Sequence, residues 1–198
     1  MPNLERFITE HQSTVETKDL AQFVRCFDSL VDFLRNPDTF PNEEINKSVT
    51  LMWKLIGNKE VHAVLDQWGL PSLSFAVIKE GDKQCPLLIL PPDFPRQVKE
   101  NPVFQLGIVA YMSSQTRDYY TGRIKGNNSE EINAMARAFE AEALLTLKKM
   151  AEEEEIILHF NGLQRGILEQ FPKGLGSLPV GSNYPTPVYW SFDPSISN

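Results

Sequence analysis

The chain has 198 residues, of which 41% are hydrophobic and 23% charged, a composition typical of an ordinary globular protein and not of a disordered or fibrous one. Its formal net charge of -7 argues against a broad nucleic-acid-binding surface, which normally makes a domain basic. Two cysteines without a CxxC pattern exclude a disulfide-rich scaffold and favour a reducing compartment.

The N-terminus and the hydrophobicity pattern bear on location. Residues 1–7 lack the basic start and apolar core of a signal peptide. No unbroken apolar run approaches the roughly 20 residues needed to cross a bilayer. We therefore predict a cytoplasmic protein with no membrane partner.

The first third of the chain has helical periodicity. A short helix is predicted over residues 3–12, and a strongly amphipathic one over residues 20–34, where apolar residues recur at spacings of three and four. Asn42 is suited to cap a third helix, and residues 59–68 predict a fourth. Residues 1–70 should therefore form a helical block.

A change of pattern at Pro71 predicts a β-sheet. Apolar and small side chains alternate over residues 73–78, and residues 80–83 are typical of a turn. Residues 87–90 form a continuous apolar run, which suits a strand covered on both faces. We predict a β-hairpin, followed by a proline-rich loop over residues 91–102.

Three further segments are candidate strands. Residues 104–112 place apolar side chains at every second position, and residues 119–124 predict a fourth strand. Residues 156–160 predict a final strand, although they could instead extend the preceding helix. The pattern predicts an α+β protein with a mainly antiparallel sheet of about four to five strands.

The best-specified element is a long helix over residues 128–155. Asn128 can cap it, and Glu131 completes a pairing like a capping box. Strong helix formers dominate the run, without Gly or Pro. Asn161 and Gln164 should cap a further helix. We expect the long helix to pack on the sheet through one apolar face, made of Ile132, Met135, Ala136, Phe139, Ala143, Leu147 and Met150.

Regular structure should end at residue 171. Residues 1–171 are expected to form a single α+β domain, with the sheet and the long helix in residues 71–171. Residues 172–198 are rich in proline and predict an irregular C-terminal tail. The tail could bind a protein partner or pack on its own domain, and its anchoring side chains would be Tyr184, Tyr189, Trp190 and Phe192.

The most site-like cluster precedes the long helix. It comprises Arg117, Asp118, Tyr119, Tyr120, Arg123 and Lys125. In the predicted strand, Arg117, Tyr119 and Arg123 would point one way and present a cationic face to a phosphate or carboxylate. The helix N-terminus that follows also favours anions. The alternative interpretation is an exposed sheet face on which arginine stems cover tyrosine rings.

A run of four carboxylates, Glu152 to Glu155, lies at the predicted C-terminal end of the long helix, where the helix dipole disfavours negative charge. We interpret it as a solvated, frayed helix end. A cation site or a basic partner is the alternative, because runs of like charge also serve as interaction surfaces.

Motifs for catalysis are missing from the sequence. It contains no GxSxG elbow, Walker lysine or HExxH pattern, so we predict neither a metal nor a cofactor. Our first hypothesis is a non-enzymatic, cytoplasmic protein-interaction or regulatory protein that binds another protein or a second copy of itself. The alternative is a small-molecule enzyme or ligand-binding domain that holds an anionic ligand near residues 117–125.

Overall fold

The computed structural model of the chain describes residues 3–12, 20–66, 69–70, 73–80, 83–122 and 129–178. The helices in these ranges are α1 Asn3–Gln12, α2 Leu20–Arg35, α3 Glu43–Gly57, α4 Phe94–Glu100, α5 Pro102–Tyr120, α6 Ser129–Glu153 and α7 Gly162–Gln170. The strands are β1 His62–Leu65, β2 Ser74–Glu80 and β3 Lys83–Leu90, and a 3-10 turn covers Gly174–Ser177. No helix in this part of the chain is long and apolar enough to cross a membrane.

The first three helices form where the periodicity predicts them. Asn42 caps α3, because its side-chain oxygen accepts a hydrogen bond from the backbone N–H of Ile45. In α1, Leu4 and Phe7 are buried. Most of the predicted apolar stripe of α2 is also buried, namely Phe23, Phe27, Leu30, Val31 and Leu34, whereas Val24 is exposed. These side chains make up one part of a core that continues through α5 and α6.

The sheet has three strands in the order β1-β3-β2 within the described residues. The predicted hairpin is confirmed: β2 and β3 pair antiparallel, from Ser74 opposite Ile89 to Glu80 opposite Lys83. Residues 87–90 are all buried, as expected for a strand covered on both faces. Since β1 runs parallel to β3, the sheet is mixed, and the prediction of four to five mainly antiparallel strands is wrong.

The helix predicted over residues 59–68 is also wrong. Residues 62–65 form β1, in which His62 pairs with Leu87 and Leu65 pairs with Leu90. A short apolar run fits a helix and a strand equally well, so the sequence pattern does not separate them. The backbone groups of β3 decide the outcome, because tertiary hydrogen bonding overrides a weak local preference.

The strand predicted over residues 104–112 is wrong because residues 102–120 form α5. The strand predicted over residues 119–124 is wrong over its described residues, 119–122, and residues 123–124 lie outside the described structure. Asn101 caps this helix by accepting a hydrogen bond of 2.9 Å from the N–H of Phe104. Pro102 follows in the first turn, where a missing N–H has no cost. Successive residues of α5 are buried, including Gln105, Leu106, Gly107, Ile108, Val109 and Ala110. A helix covered on most sides has no amphipathic period, so its large apolar residues suggest a strand.

The predicted long helix is confirmed as α6, but it packs mainly on α5 and not on the sheet. The expected face is largely buried, through Ala136, Phe139, Ala143, Leu147 and Met150. Gly107 of α5 lies so close to α6 that a Cβ there would be 3.3 Å from Cδ2 of Leu144. The sheet contacts α5 through β2. Thus α5 contacts both the long helix and the sheet.

Two connecting regions differ from expectation. Residues 94–100 in the predicted proline-rich loop form α4, with a proline in its first turn. Residues 156–160 belong to no strand in the part of the chain that the structure describes.

The predicted cap of α7 is confirmed as a reciprocal capping box, because the side chains of Asn161 and Gln164 each accept a hydrogen bond from the other's backbone N–H at 2.9 Å.

Glu142 of α6 connects two other parts of the chain. Its Oε1 accepts a hydrogen bond of 3.0 Å from Nδ2 of Asn42, the residue that caps α3. Its Oε2 accepts one of 3.1 Å from the backbone N–H of Leu175 in the 3-10 turn. Gly174 adopts a positive φ of 52° at this junction. The glycine therefore permits a close packing contact with Glu142.

We expect Gly174→Ala to lower the free energy of unfolding by about 2–4 kcal/mol. The new Cβ would lie 2.1 Å from Oε2 of Glu142 and 2.9 Å from its Cα. Urea denaturation measures the change. Gly176→Ala is the matched control, because its Cβ would meet only Cβ of Lys173, at 3.5 Å. Equal losses in the two variants would contradict this account of the junction.

The C-terminal end of α6 is a closed Schellman motif. The N–H of Ile156 donates to the carbonyl of Ala151 at 2.8 Å, and the N–H of Glu155 donates to that of Glu152 at 3.4 Å. Glu155 has a φ of 58°, in the left-handed region where glycine is favoured. The helix end is thus ordered by backbone hydrogen bonds, at some cost in strain.

Glu155→Gly should therefore raise the free energy of unfolding by about 1 kcal/mol, because glycine relieves the left-handed strain. For a protein of this size the melting temperature should rise by about 2–4 °C, which differential scanning calorimetry resolves. Glu153→Gly, in the last helical position, should instead destabilise by about 1 kcal/mol. A lower melting temperature for Glu155→Gly would show that strain is not the controlling factor.

Candidate functional site

The predicted cationic cluster lies at the C-terminal end of α5. Arg117, Asp118, Tyr119 and Tyr120 occupy its last turn, so their side chains follow helical angles instead of alternating across a strand. Arg123 and Lys125 lie outside the described residues. Part of the cluster can therefore be placed, and its members have different environments.

Arg117 is an interior residue, with only 4% of its surface exposed. Its Nη2 lies 3.3 Å from Oδ1 of Asp118 and 3.4 Å from Oγ of Ser114. The guanidinium carbon lies 4.4 Å from the centre of the Phe139 ring on α6. Asp118 is also buried. These contacts direct the guanidinium toward groups of its own chain and hold α5 against α6.

The two tyrosines diverge. Tyr119 places its ring edge-on to Phe75 of β2, with 6.1 Å between ring centres, and so connects α5 to the sheet. More than half of the surface of Tyr120 is exposed. Among the described members of the cluster, Arg117 and Asp118 are buried, Tyr119 is partly buried and Tyr120 is exposed. Anion binding by this segment stays a prediction.

A second polar cluster, which the sequence analysis did not identify, lies between α5 and α6. Oε2 of the fully buried Glu140 accepts a hydrogen bond of 2.6 Å from Nη1 of Arg137. The guanidinium carbon of Arg137 lies 4.5 Å from the centre of the Tyr111 ring. The Tyr111 hydroxyl donates to Oδ1 of Asn133 at 2.8 Å and accepts from Nε2 of Gln115 at 3.0 Å. The only sequence signal was an acid between buried apolar neighbours.

The buried environment of Glu140 disfavours the charged form of its carboxyl. Burial raises the pKa of its carboxyl above the usual value, and the Arg137 guanidinium opposes the shift. Its Oε1 is buried without a hydrogen-bond partner in the described structure. Gly107 lies beside it, since a Cβ there would be 3.7 Å from that oxygen. The arrangement can hold a proton, but no neighbouring nucleophile among the described residues would use it.

The acidic run at the end of α6 is partly structural. The Glu154 carboxylate accepts hydrogen bonds from the backbone N–H of Leu4, at 3.1 and 3.2 Å, and of Glu5, at 3.1 Å. It therefore caps the N-terminus of α1, where the helix dipole favours an anion. Glu152, Glu153 and Glu155 are exposed. The run combines one structural cap with three carboxylates in solvent.

The described residues provide little for catalysis or metal binding. They contain no group of three or more His, Cys, Asp or Glu side chains able to hold a metal ion. Nε2 of His11 lies 2.9 Å from Oγ of Ser29, which is the spacing of a base and a nucleophile. His11 is buried against the Phe7 ring, with 4.4 Å between ring centres, and burial lowers its pKa. Without an orienting carboxylate among its described contacts, we interpret the pair as a tie between α1 and α2.

Residues 156–160 lie in the connection from α6 to α7, and we call them the open segment. It contains no helix, strand, turn or bend. Ile156, Leu158 and Phe160 are partly buried and pack against the core, whereas Ile157 and His159 are exposed. This alternation with a period of two is that of an extended chain. The side-chain pattern that predicted a strand is present, although the strand is not.

The backbone of the open segment explains this difference. Within the part of the chain that the structure describes, residues 157–160 have no backbone hydrogen-bond partner. Ile157 and Leu163, on either side of the α7 cap, are large aliphatic side chains with 80% and 52% of their surface exposed. The open segment thus combines unpaired backbone groups with exposed aliphatic side chains in it and just after it in the chain. The predicted partner-binding residues of the tail, Tyr184, Tyr189, Trp190 and Phe192, lie outside the described residues.

Comparison with known proteins assigns no relative. No protein-family model matches the chain, and neither a curated protein nor a solved structure is similar enough to match it. The surfaces and side chains of the protein are therefore the basis for a functional proposal.

The raised pKa of Glu140 predicts how stability depends on pH. The folded protein binds this proton more tightly than the unfolded chain, so the stabilisation is present below the unfolded pKa and is lost as pH rises through the folded pKa. Glu140→Gln, which resembles the neutral carboxyl, should be more stable than the unaltered chain at about pH 8, and its stability should vary less with pH.

Melting temperatures measured from about pH 4 to about pH 8 test this expectation. Glu153→Gln, an exposed carboxylate on the same helix, is the control and should follow the unaltered chain. If Glu140→Gln were less stable at about pH 8, the ion pair with Arg137 would outweigh the cost of burying the charge.

Proposed function

We propose that this chain is a non-enzymatic, cytoplasmic protein-interaction protein and that the open segment binds an extended stretch of a partner by strand addition. The observation that carries the proposal is the open segment, in which partly buried and exposed side chains alternate and residues 157–160 have no backbone hydrogen-bond partner in the described structure. Unpaired backbone N–H and C=O groups along an extended segment can pair with an added strand, as they do at the edge of a sheet.

Hydrogen bonding favours a bound strand at this edge. Backbone N–H and C=O groups are strong hydrogen-bonding groups, and an added strand would exchange their bonds to water for regular ones. The two outer strands of the sheet, β1 and β2, each already pair with β3 along one side. The backbone of residues 157–160 has no hydrogen-bond partner among the described residues on either side. The open segment therefore has more unpaired backbone groups for its length than β1 or β2.

Side chains add an apolar contribution. Burying an exposed aliphatic side chain the size of Ile157 or Leu163 is worth about 1.5–3 kcal/mol. Ile156, Leu158 and Phe160 pack on the core from the other face and hold the backbone in place, so a partner would meet a pre-formed edge. Backbone pairing would supply affinity, and the outward side chains would supply specificity.

The alternative proposal, an anionic ligand held near residues 117–125, has less support. Arg117 and Asp118 are buried in contact with each other, and Tyr119 packs toward Phe75. That proposal therefore depends on Tyr120, Arg123 and Lys125, of which the last two lie outside the described residues.

Selection of a random displayed peptide library against the full-length chain tests the proposed function. Enriched peptides should slow hydrogen exchange of the amides of residues 157–160, and protection should alternate along the segment, as in a β-ladder. Ile157→Asp or Leu163→Asp should weaken their binding tenfold or more, which corresponds to about 1.4 kcal/mol.

Val24→Asp is the matched control, because Val24 is 51% exposed but belongs to α2. It should leave peptide binding unchanged. Enrichment that is equal on the unaltered chain and on the Ile157→Asp variant, or peptides that leave these amides unprotected, would contradict the proposal.

A further inference from the structure

We infer that the strand accepted by the open segment comes from another protein and is basic, with Lys or Arg residues next to the residues that pair. This inference rests on the proposed function, and it specifies the partner's chemistry from the charges around the open segment. Three exposed carboxylates, those of Glu152, Glu153 and Glu155, lie immediately before the open segment in the chain.

The Schellman motif determines where these charges lie. It ends α6 at Glu153 and places Glu155 in the left-handed region, so that the chain leaves the helix directly into the open segment. Glu154 is the inward member of the run, since its carboxylate caps α1. A strand rises about 3.3 Å per residue, so a partner strand that reaches past residue 156 comes within one or two residues of Glu155.

Intramolecular cations compensate these charges only in part. Nζ of Lys148 lies 4.0 Å from Oε1 of Glu152, and Nζ of Lys149 lies 3.8 Å from Oε1 of Glu153. All four side chains are exposed, and exposed pairs at such distances contribute little to stability. Glu155 makes no ion pair with any described residue. A basic strand would gain attraction at this end, and an acidic one would be repelled.

The same charges argue against the two occupants that this chain could itself supply. Residues 179–198, the predicted aromatic tail, contain no Lys or Arg and one acidic residue, Asp193. A second copy carries the same acidic run and the same formal net charge of -7. The tail supplies no cation, and a second copy would bring its own acidic run and a net negative charge to the site, so we assign the site to a basic segment of another protein.

Three labelled peptides with the full-length chain test the inference. Each has the same central stretch of alternating Thr and Val, flanked on both sides by two Lys, two Gln or two Glu. Fluorescence anisotropy should give a dissociation constant for the Lys peptide at least tenfold below that for the Gln peptide. The difference should shrink as NaCl rises from about 0.05 M to about 0.5 M, because salt screens exposed charges.

The variant E152Q/E153Q/E155Q should lose the preference for Lys while still protecting the amides of residues 157–160 when the Gln peptide binds. The control variant E10Q/E60Q/E100Q changes the net charge by the same amount at exposed positions on other elements. It should keep the preference for Lys. Circular dichroism of both variants verifies that the fold is retained.

The other possible outcomes contradict either the charge inference or the proposed function. If the Lys and Gln peptides bind equally and both protect residues 157–160, the charge inference is wrong and the proposed function stands. If no peptide protects these amides, the proposed function is wrong as well. Protection in the free chain that does not depend on concentration would assign the site to the chain's own tail. Protection that grows with concentration would assign it to a second copy, and both results overturn the inference.

Discussion

The burial of α5 on nearly all sides is the constraint on which the rest of the structure depends. This one helix contacts α1, α2, α3, α4, α6 and β2, so the helical part and the sheet meet on it. The close approach of α6 is possible because position 107 has no side chain. Most polar groups buried with α5 are satisfied locally, whereas Oε1 of Gln105 has no hydrogen-bond partner in the described structure. Ser113 and Thr116 donate to carbonyls of their own helix at 2.8 and 2.9 Å, and Arg117 pairs with Asp118.

The acidic residues of α6 have two different roles. Two of them contact the interior or other elements: Glu140 pairs with Arg137 between the helices, and Glu142 joins the α3 cap to the 3-10 turn. Glu154, just after the end of α6, caps α1. The exposed members of the terminal acidic run adjoin the open segment. A carboxylate near an N-terminus or a free N–H stabilises structure, whereas one left in solvent beside an unpaired edge influences what binds there.

The accuracy of the sequence predictions depended on how much of each signal was local. Helices with one buried face, such as α2 and α6, were predictable because their period of 3.6 residues was visible. The hairpin of β2 and β3 was predictable because its turn residues separate two apolar runs. β1 was not, because four residues carry no period and β3 supplies the pairing. α5 was not, since a helix covered on most sides resembles alternating apolar sequence. The Glu140 cluster was not predicted because it joins residues of α5 to residues of α6, and no spacing along the chain indicates which residues of two helices meet.

By itself, the sequence determined where the amphipathic helices, the hairpin and the cap of α7 lie, since caps, turn residues and hydrophobic period act over a few residues. Only the tertiary structure decided that Arg117 is an interior residue and that Glu154 caps a helix about 150 positions away. It also decided that residues 157–160 have the alternating side chains of a strand but no backbone hydrogen bonds to described residues. A strand requires a neighbour as well as a sequence pattern, and the neighbour is chosen by packing. The open segment has the pattern and, within the described chain, lacks the neighbour.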